Sequence, residues 1–131
     1  MQLSAYLRTV LKLDSASCLG MAAILVPAAS TLSPIHGVPS ALLAGAGIGL
    51  IPIGLFMLWL GTRREAPSAL VWLVIVGNFG WSAASLAVAF GLPGIAAVGT
   101  ALVASQGLGV VLFALLEWRG LHLSANRSAT V

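Results

Sequence analysis

Charged residues occur in only three short regions of the chain, and two long apolar stretches lie between them. No Asp, Glu, Lys or Arg occurs from Ser15 to Thr62 or from Ala66 to Leu116. A helix needs about 20 apolar residues to cross a hydrocarbon core about 30 Å thick. Each stretch is therefore long enough for two spanning helices and a short connection. Because the apolar runs are unbroken, they do not show the alternating pattern of a membrane β-barrel.

Turn-forming residues divide each apolar stretch in two. Two prolines and a glycine fall within residues 33–39, and Gly-Leu-Pro-Gly occupies residues 91–94. Proline lacks a backbone donor and glycine has a high conformational entropy, so both favour helix ends. We therefore predict an all-α fold, a single four-helix transmembrane domain covering residues 1–131. The predicted helices span about residues 14–33, 41–61, 68–90 and 94–117.

The composition agrees with a membrane protein. Of the 131 residues, 60% are hydrophobic and 7% are charged, whereas soluble domains have about 25% charged residues. So few charges cannot cover a water-facing surface. The formal net charge of +3 is explained by basic residues next to the spans and does not indicate a nucleic-acid partner.

Residues 2–13 have an amphipathic pattern ahead of the first predicted helix. Their apolar face consists of Leu3, Tyr6, Leu7, Val10 and Leu11. Such a segment can lie in the headgroup plane as an interfacial helix. Alternatively, it extends the first spanning helix into the cytoplasm. The first predicted helix, with Arg8 and Lys12 before it and Pro27-Ala28-Ala29-Ser30 at its end, also resembles a secretory signal peptide, and we expect it to be retained as an uncleaved helix.

The positions of the basic residues predict the orientation. They are Arg8 and Lys12 before the first helix, Arg63 and Arg64 between the second and third, and Arg119 and Arg127 after the fourth. Basic residues near spans stay on the cytoplasmic side during insertion. We therefore predict that both termini and the middle loop face the cytoplasm. Trp59, Trp72 and Trp118 fall at the same helix ends, where tryptophan prefers the interface.

The two connections on the opposite side are similar in sequence. Gly37-Val38-Pro39 has the same Gly-x-Pro pattern as Gly91-Leu92-Pro93. The shift along the sequence that aligns these two turns also aligns Gly45 with Gly99. This pattern suggests two parallel helical-hairpin repeats. The alternative is that two tight helix reversals acquired similar residues independently.

Two side-chain amides are predicted to lie deep in the membrane. Asn78 and Gln106 each lie about 15 Å from the inner end of a predicted helix, near the midplane. The face of Asn78 also carries Trp81, Ser82 and Ser85. An unpaired amide is costly in hydrocarbon, so one interpretation is a hydrogen-bonded pair that holds two helices together. The other is a polar site for a solute or lipid group.

Small residues form a ridge on each of two predicted helices. The ridges are Ala41, Gly45 and Gly49 on the second helix and Ala101, Ser105 and Gly109 on the fourth. Small residues four positions apart let helix backbones approach closely. The ridges therefore predict either packing within the chain or contact with a second copy or another membrane protein. We favour the second helix slightly as the ridge left for another protomer.

The sequence offers little catalytic or metal-binding chemistry. Cys18 is the only cysteine, and His36 and His122 lie far apart, so we predict no disulfide, metal site or cofactor. We interpret all three acids, Asp14, Glu65 and Glu117, as solvated or ion-paired at the inner interface. There is no serine–histidine–acid set and no phosphate loop, so we predict that the protein is not an enzyme.

Three segments resemble those of a known class of proteins. They are Arg-Thr-Val-Leu-Lys-Leu-Asp at 8–14, Val-Trp-Leu-Val-Ile-Val-Gly-Asn-Phe-Gly-Trp-Ser-Ala-Ala-Ser at 71–85 and Gly-Thr-Ala-Leu-Val-Ala-Ser-Gln at 99–106. These segments resemble small, uncharacterised four-helix bacterial integral membrane proteins. The resemblance implies a bacterial inner membrane location and supplies no activity.

Two functions fit these patterns. The first is a structural or accessory subunit, or a component of a homo-oligomer, whose partners are lipid and either itself or another membrane protein. The alternative is a small transporter or channel that uses a midplane polar site at Asn78 and Gln106.

Overall fold

The chain folds into four long helices. The computed structural model describes residues 1–130. The helices are α1 (Ala5–His36), α2 (Ser40–Thr62), α3 (Ser68–Gly91) and α4 (Ala97–Ser128). All four are long and apolar enough to cross a membrane. The predicted all-α fold with four helices is confirmed, and it fits a small membrane protein.

The first helix begins much earlier than its apolar stretch. It starts at Ala5 after Ser4, whose hydroxyl accepts the Leu7 N–H at 3.1 Å, as a helix N-cap does. Residues 2–13 are therefore not a separate interfacial helix but mainly the first turns of α1. Their apolar face is largely buried against the rest of the bundle, which explains why this segment is amphipathic.

The fourth helix continues past the first charge that follows its apolar stretch. It ends at Ser128 and not near residue 117. Helices end where turn residues or caps stop them, and a single glutamate is a good helix former. The sequence from Glu117 onwards contains no proline and keeps the helical pattern, so α4 continues for about three more turns.

The helices pack as two hairpins. α1 packs along α2 and α3 packs along α4, while α1 also contacts α4 and joins the hairpins. α2 and α3 have little close backbone contact with each other. The order around the bundle is therefore α2, α1, α4, α3, and a cleft remains between α2 and α3.

Alternating steps of four and three residues mark the buried face of α2. Its buried residues include Leu43, Gly47, Leu50, Gly54, Met57 and Gly61. This is the spacing of a coiled-coil seam. A Cβ atom added to Gly54 would lie 2.8 Å from the Leu19 Cγ atom of α1. The backbones of α1 and α2 therefore approach closely at this seam.

The predicted small-residue ridges lie on other faces. Gly45 and Gly49 of α2 and Gly109 of α4 have open space where a Cβ atom would be placed, and Ala41, Ala101 and Ser105 are exposed. α4 uses Gly107, not Gly109, to approach α3, since a Cβ atom there would lie 3.2 Å from the Ser85 Cβ atom. The ridges therefore take no part in packing within the chain.

The basic residues gather at one end of the bundle. The Leu3 N–H donates to the Arg64 carbonyl at 2.8 Å, and the Ser4 N–H donates to Ser124 Oγ at 2.9 Å. These bonds join the N-terminal residues to the α2–α3 connection and to the end of α4. Arg8 donates to the Gly61 carbonyl. The predicted topology anchors Arg8, Lys12, Arg63, Arg64 and Arg119 therefore share this end.

The similar turns at the other end have different structures. Gly37 ends α1 with a φ of 68°, whereas Gly91 is the last residue of α3 and the left-handed glycine of that connection is Gly94. Gly45 faces open space, while a Cβ atom on Gly99 would strike the His36 carbonyl oxygen. Positions that match in the two predicted repeats therefore differ in backbone conformation and in packing. The hairpin repeat stays a prediction.

Candidate functional site

Three polar side chains from three helices meet inside the bundle. The Asn78 Nδ2 atom of α3 donates hydrogen bonds to Asp14 Oδ2 of α1 at 2.7 Å and to Glu117 Oε2 of α4 at 3.0 Å. Asp14 is 1% exposed and Glu117 is 0% exposed. Both carboxyl groups therefore bond to the same amide nitrogen, which brings them close together. We call Asp14, Asn78 and Glu117 the carboxyl cluster.

The helix seams explain why these acids are buried. Asp14 lies between Leu11 and Cys18 on the buried face of α1, at steps of three and four residues. Glu117 occupies the corresponding position before Leu121 on the buried face of α4. Both acids therefore sit where a core leucine would normally be found.

The prediction for these two acids is wrong. Asp14 and Glu117 are neither solvated nor ion-paired at an interface, because α1 and α4 continue beyond them for two to three turns. Glu65, the third acid, is exposed in the α2–α3 connection, where it accepts from Gln2 Nε2 at 3.3 Å. The signal that identifies the buried acids is their place in the three-and-four spacing of apolar residues.

No positive charge balances the carboxyl cluster within residues 1–130. The hydrogen-bond donors to the two carboxyls are Asn78 and the Cys18 thiol, whose sulfur lies 3.8 Å from Asp14 Oδ1. The Glu117 Oε1 atom is buried and has no hydrogen-bond partner within residues 1–130. Two ionised carboxylates so close together repel each other when no cation lies between them, so we expect at least one of them to hold a proton.

A cavity of about 370 Å³ lies in the cleft between α2 and α3 and reaches the cluster. Its polar lining consists of Asp14, Ser17, Asn78 and Gln106, together with the amphipathic Trp81. The other walls are almost entirely apolar and include Met21, Leu50, Phe56, Met57, Val74 and Val110. Ile53 and Leu73 also line the cavity and are 40% and 61% exposed, so it opens to the outside of the bundle.

The two predicted midplane amides do not bond to each other. Gln106 Oε1 accepts from Ser85 Oγ at 3.1 Å, while Asn78 bonds to the acids. Ser82 Oγ donates to the Gly107 carbonyl at 2.8 Å. Both amides nevertheless line the same cavity.

Trp81 lies beside these polar side chains without bonding to them. Its Nε1 atom is buried without a hydrogen-bond partner in the described chain, and the side chain lines the cavity. The indole N–H is therefore an unsatisfied buried donor next to the cavity.

The described residues contain no group of three or more His, Cys, Asp or Glu side chains that could hold a metal ion. No protein-family model, curated protein or solved structure matches the chain. The resemblance to small bacterial membrane proteins therefore stays a prediction, and the geometry of the site carries the functional argument.

Proposed function

We propose that the protein is a small solute transporter of the bacterial inner membrane and that the cavity between α2 and α3 is its solute site. The observation that carries this proposal is the burial of Asp14 and Glu117 without a basic partner, with Asp14 in the wall of an apolar cavity. Ionisable residues inside membrane spans are costly and typically mark the paths of ions, protons or solutes. A purely structural bundle would gain more from apolar side chains at these seam positions.

The proposal also includes the orientation of the protein in the membrane. Both termini and the α2–α3 connection face the cytoplasm, which is supported by the concentration of basic residues at one end of the bundle. In that orientation Asn78 of the carboxyl cluster lies near the middle of α3, close to the membrane midplane, and the cavity lies beside it. We assign no catalytic role, since the site combines carboxyls and amides with apolar walls.

Cysteine accessibility tests whether the cavity opens to water from both sides, as transport requires. Ser17 lines the cavity, so Ser17→Cys in a Cys18→Ser background places one thiol there. The full-length variant is reconstituted in vesicles and treated with a membrane-impermeant methanethiosulfonate from either face. Transport predicts that the thiol reacts from both faces, because the cavity opens alternately to each.

The matched control is Ala16→Cys in the same background. Ala16 is the exposed neighbour of Ser17 but does not line the cavity, so its thiol should face lipid and react poorly. Labelling of Ser17→Cys from one face only, or no more labelling than Ala16→Cys, would contradict transport. Loss of the folded protein is monitored by size-exclusion chromatography of each variant.

The second candidate function is a structural or accessory subunit that assembles with itself or another membrane protein. Gly45 and Gly49 support it, because both face outward on α2 with no other part of the chain against them. In lipid, close packing supplies much of the attraction between helices, so an exposed small-residue groove suits a partner helix. This candidate does not use the carboxyl cluster, and the two functions are compatible.

A further inference from the structure

We propose, building on the transport function above, that the solute is a small organic cation with an apolar body, which exchanges for a proton at the carboxyl cluster. The proposal rests on the charge balance at Asp14 and Glu117, on the apolar and aromatic walls of the cavity, and on its opening between α2 and α3.

Charge balance requires a positive occupant whenever the cluster ionises. The titratable groups that face it are Asp14 and Cys18 from α1 and Glu117 from α4, while α3 contributes the neutral Asn78. The α2 side of the cavity offers apolar residues such as Leu50 and Met57. The nearby basic residues of α1 and α4 are directed elsewhere in the described structure, since Arg8 donates to the Gly61 carbonyl, Arg119 lies over the Tyr6 ring and Lys12 is exposed. A proton or a bound cation is therefore the counter-charge, and one replaces the other without a change in net charge.

The walls select an organic cation over an inorganic one. Hard metal cations need several oxygen ligands to replace their hydration shell, whereas the cavity is mostly apolar. Phe56 and Trp81 line it, and aromatic faces attract ammonium groups that carry little water. A volume of about 370 Å³ falls in the range that holds small molecules.

Other occupants of the cleft lack the necessary charge. A second copy of the chain would present spans without Lys or Arg from Ser15 to Thr62 and from Ala66 to Leu116. A lipid acyl chain is neutral and would leave the carboxyls unbalanced. Because exposed Ile53 and Leu73 line the opening between α2 and α3, an apolar cation dissolved in the lipid can enter sideways.

Binding of benzyltrimethylammonium to the full-length protein in nanodiscs tests the proposal. This quaternary ion cannot lose its charge, and neopentylbenzene is a neutral analogue of nearly the same shape. We expect saturable binding of the labelled ion, with no competition from neopentylbenzene. Exchange for one proton predicts that the apparent Kd rises about tenfold for each unit that the pH falls while the cluster is protonated.

Matched charge-removing variants locate the site. Asp14→Asn and Glu117→Gln should each weaken binding at least about tenfold, whereas Glu65→Gln removes an equal charge outside the cavity and should leave binding unchanged. Thermal unfolding of each variant reports whether it is folded. If the two cluster variants do not fold, the pH dependence and the neutral analogue decide the question on the wild-type protein.

The results separate this proposal from the transport function. Binding that is independent of pH, equal competition by neopentylbenzene, or equal loss in Glu65→Gln would each overturn the cation site. Cysteine labelling from both faces without any binding of benzyltrimethylammonium would overturn the ligand class and leave transport in place. Binding with labelling from one face would leave the cation site and overturn transport.

Discussion

The side-chain amide of Asn78 in α3 donates to the carboxyl group of Asp14 in α1 at 2.7 Å, across 64 positions of sequence. The same nitrogen donates to Glu117 in α4 at 3.0 Å. α1 belongs to one hairpin, and α3 and α4 form the other. Asn78 therefore ties the two hairpins together at the point where the cavity ends.

Double-mutant cycles should find that Asn78 is coupled to Asp14 and not to Gln106. Hydrogen bonds between membrane helices contribute about 0.6 kcal/mol on average and at most about 1.7 kcal/mol. We expect coupling of that size between Asn78→Ala and Asp14→Ala in the free energy of unfolding in mixed micelles. Asn78→Ala and Gln106→Ala should be additive, because Gln106 bonds to Ser85. The reverse pattern would contradict the described hydrogen bonds.

The sequence predicts the helices well and the site only in part. Charge-free length and turn residues identify four spans, because the bilayer sets their length. Asn78 stands out as an amide in an apolar run. Asp14 and Glu117 do not, because each lies at the edge of an apolar stretch and a charge there normally marks the interface. Their burial depends on α1 and α4 extending beyond the apolar stretches, which hydropathy alone does not reveal.

The choice between glycine faces on α2 also depends on three-dimensional packing. Gly45 and Gly49 form a four-residue ridge, while Gly47, Gly54 and Gly61 follow a seven-residue spacing. Both patterns are compatible with close helix contact. Because α1 packs on the face that carries Gly47, Gly54 and Gly61, these three glycines make the helix contact within the chain.

Substitutions on the two glycine faces should therefore have different effects on stability. Gly54→Leu should destabilise the protein by about 1–3 kcal/mol, because a Cβ atom there lies 2.8 Å from Leu19 Cγ. Gly45→Leu should leave the free energy of unfolding nearly unchanged, since nothing lies within 4 Å of its Cβ position. Unfolding in mixed micelles measures both, and equal destabilisation would argue against this packing of α1 on α2.

The same outward face tests the assembly candidate. If Ala41, Gly45 and Gly49 contact a second copy, Gly45→Leu and Gly49→Leu should lower the oligomer mass while the monomer remains folded. The mass is measured by light scattering with correction for detergent. A wild-type monomer in lipid, or variants that keep the wild-type mass, would show that this ridge does not hold a homo-oligomer together.

Reporter fusions test the orientation. Fusions at Arg64 and at Val131 should be active only as cytoplasmic reporters, because every Lys and Arg lies in the terminal segments or the middle loop. A fusion in the α1–α2 connection, after Val38, serves as the opposite control and should be active only outside. A periplasmic signal from Arg64 or Val131 would reverse the assignment.

We infer that the buried Asp14 and Glu117 carboxyl groups hold a proton beside a cavity that opens to the outside of the bundle. Dicyclohexylcarbodiimide is apolar and reacts with protonated carboxyl groups, so peptide mass spectrometry after treatment of membranes shows whether these two acids are protonated and can be reached from lipid. We expect an adduct on Asp14 or Glu117, reduced when benzyltrimethylammonium is present, and none on exposed Glu65. Absence of an adduct on both buried acids, or an adduct on Glu65 alone, would contradict this inference.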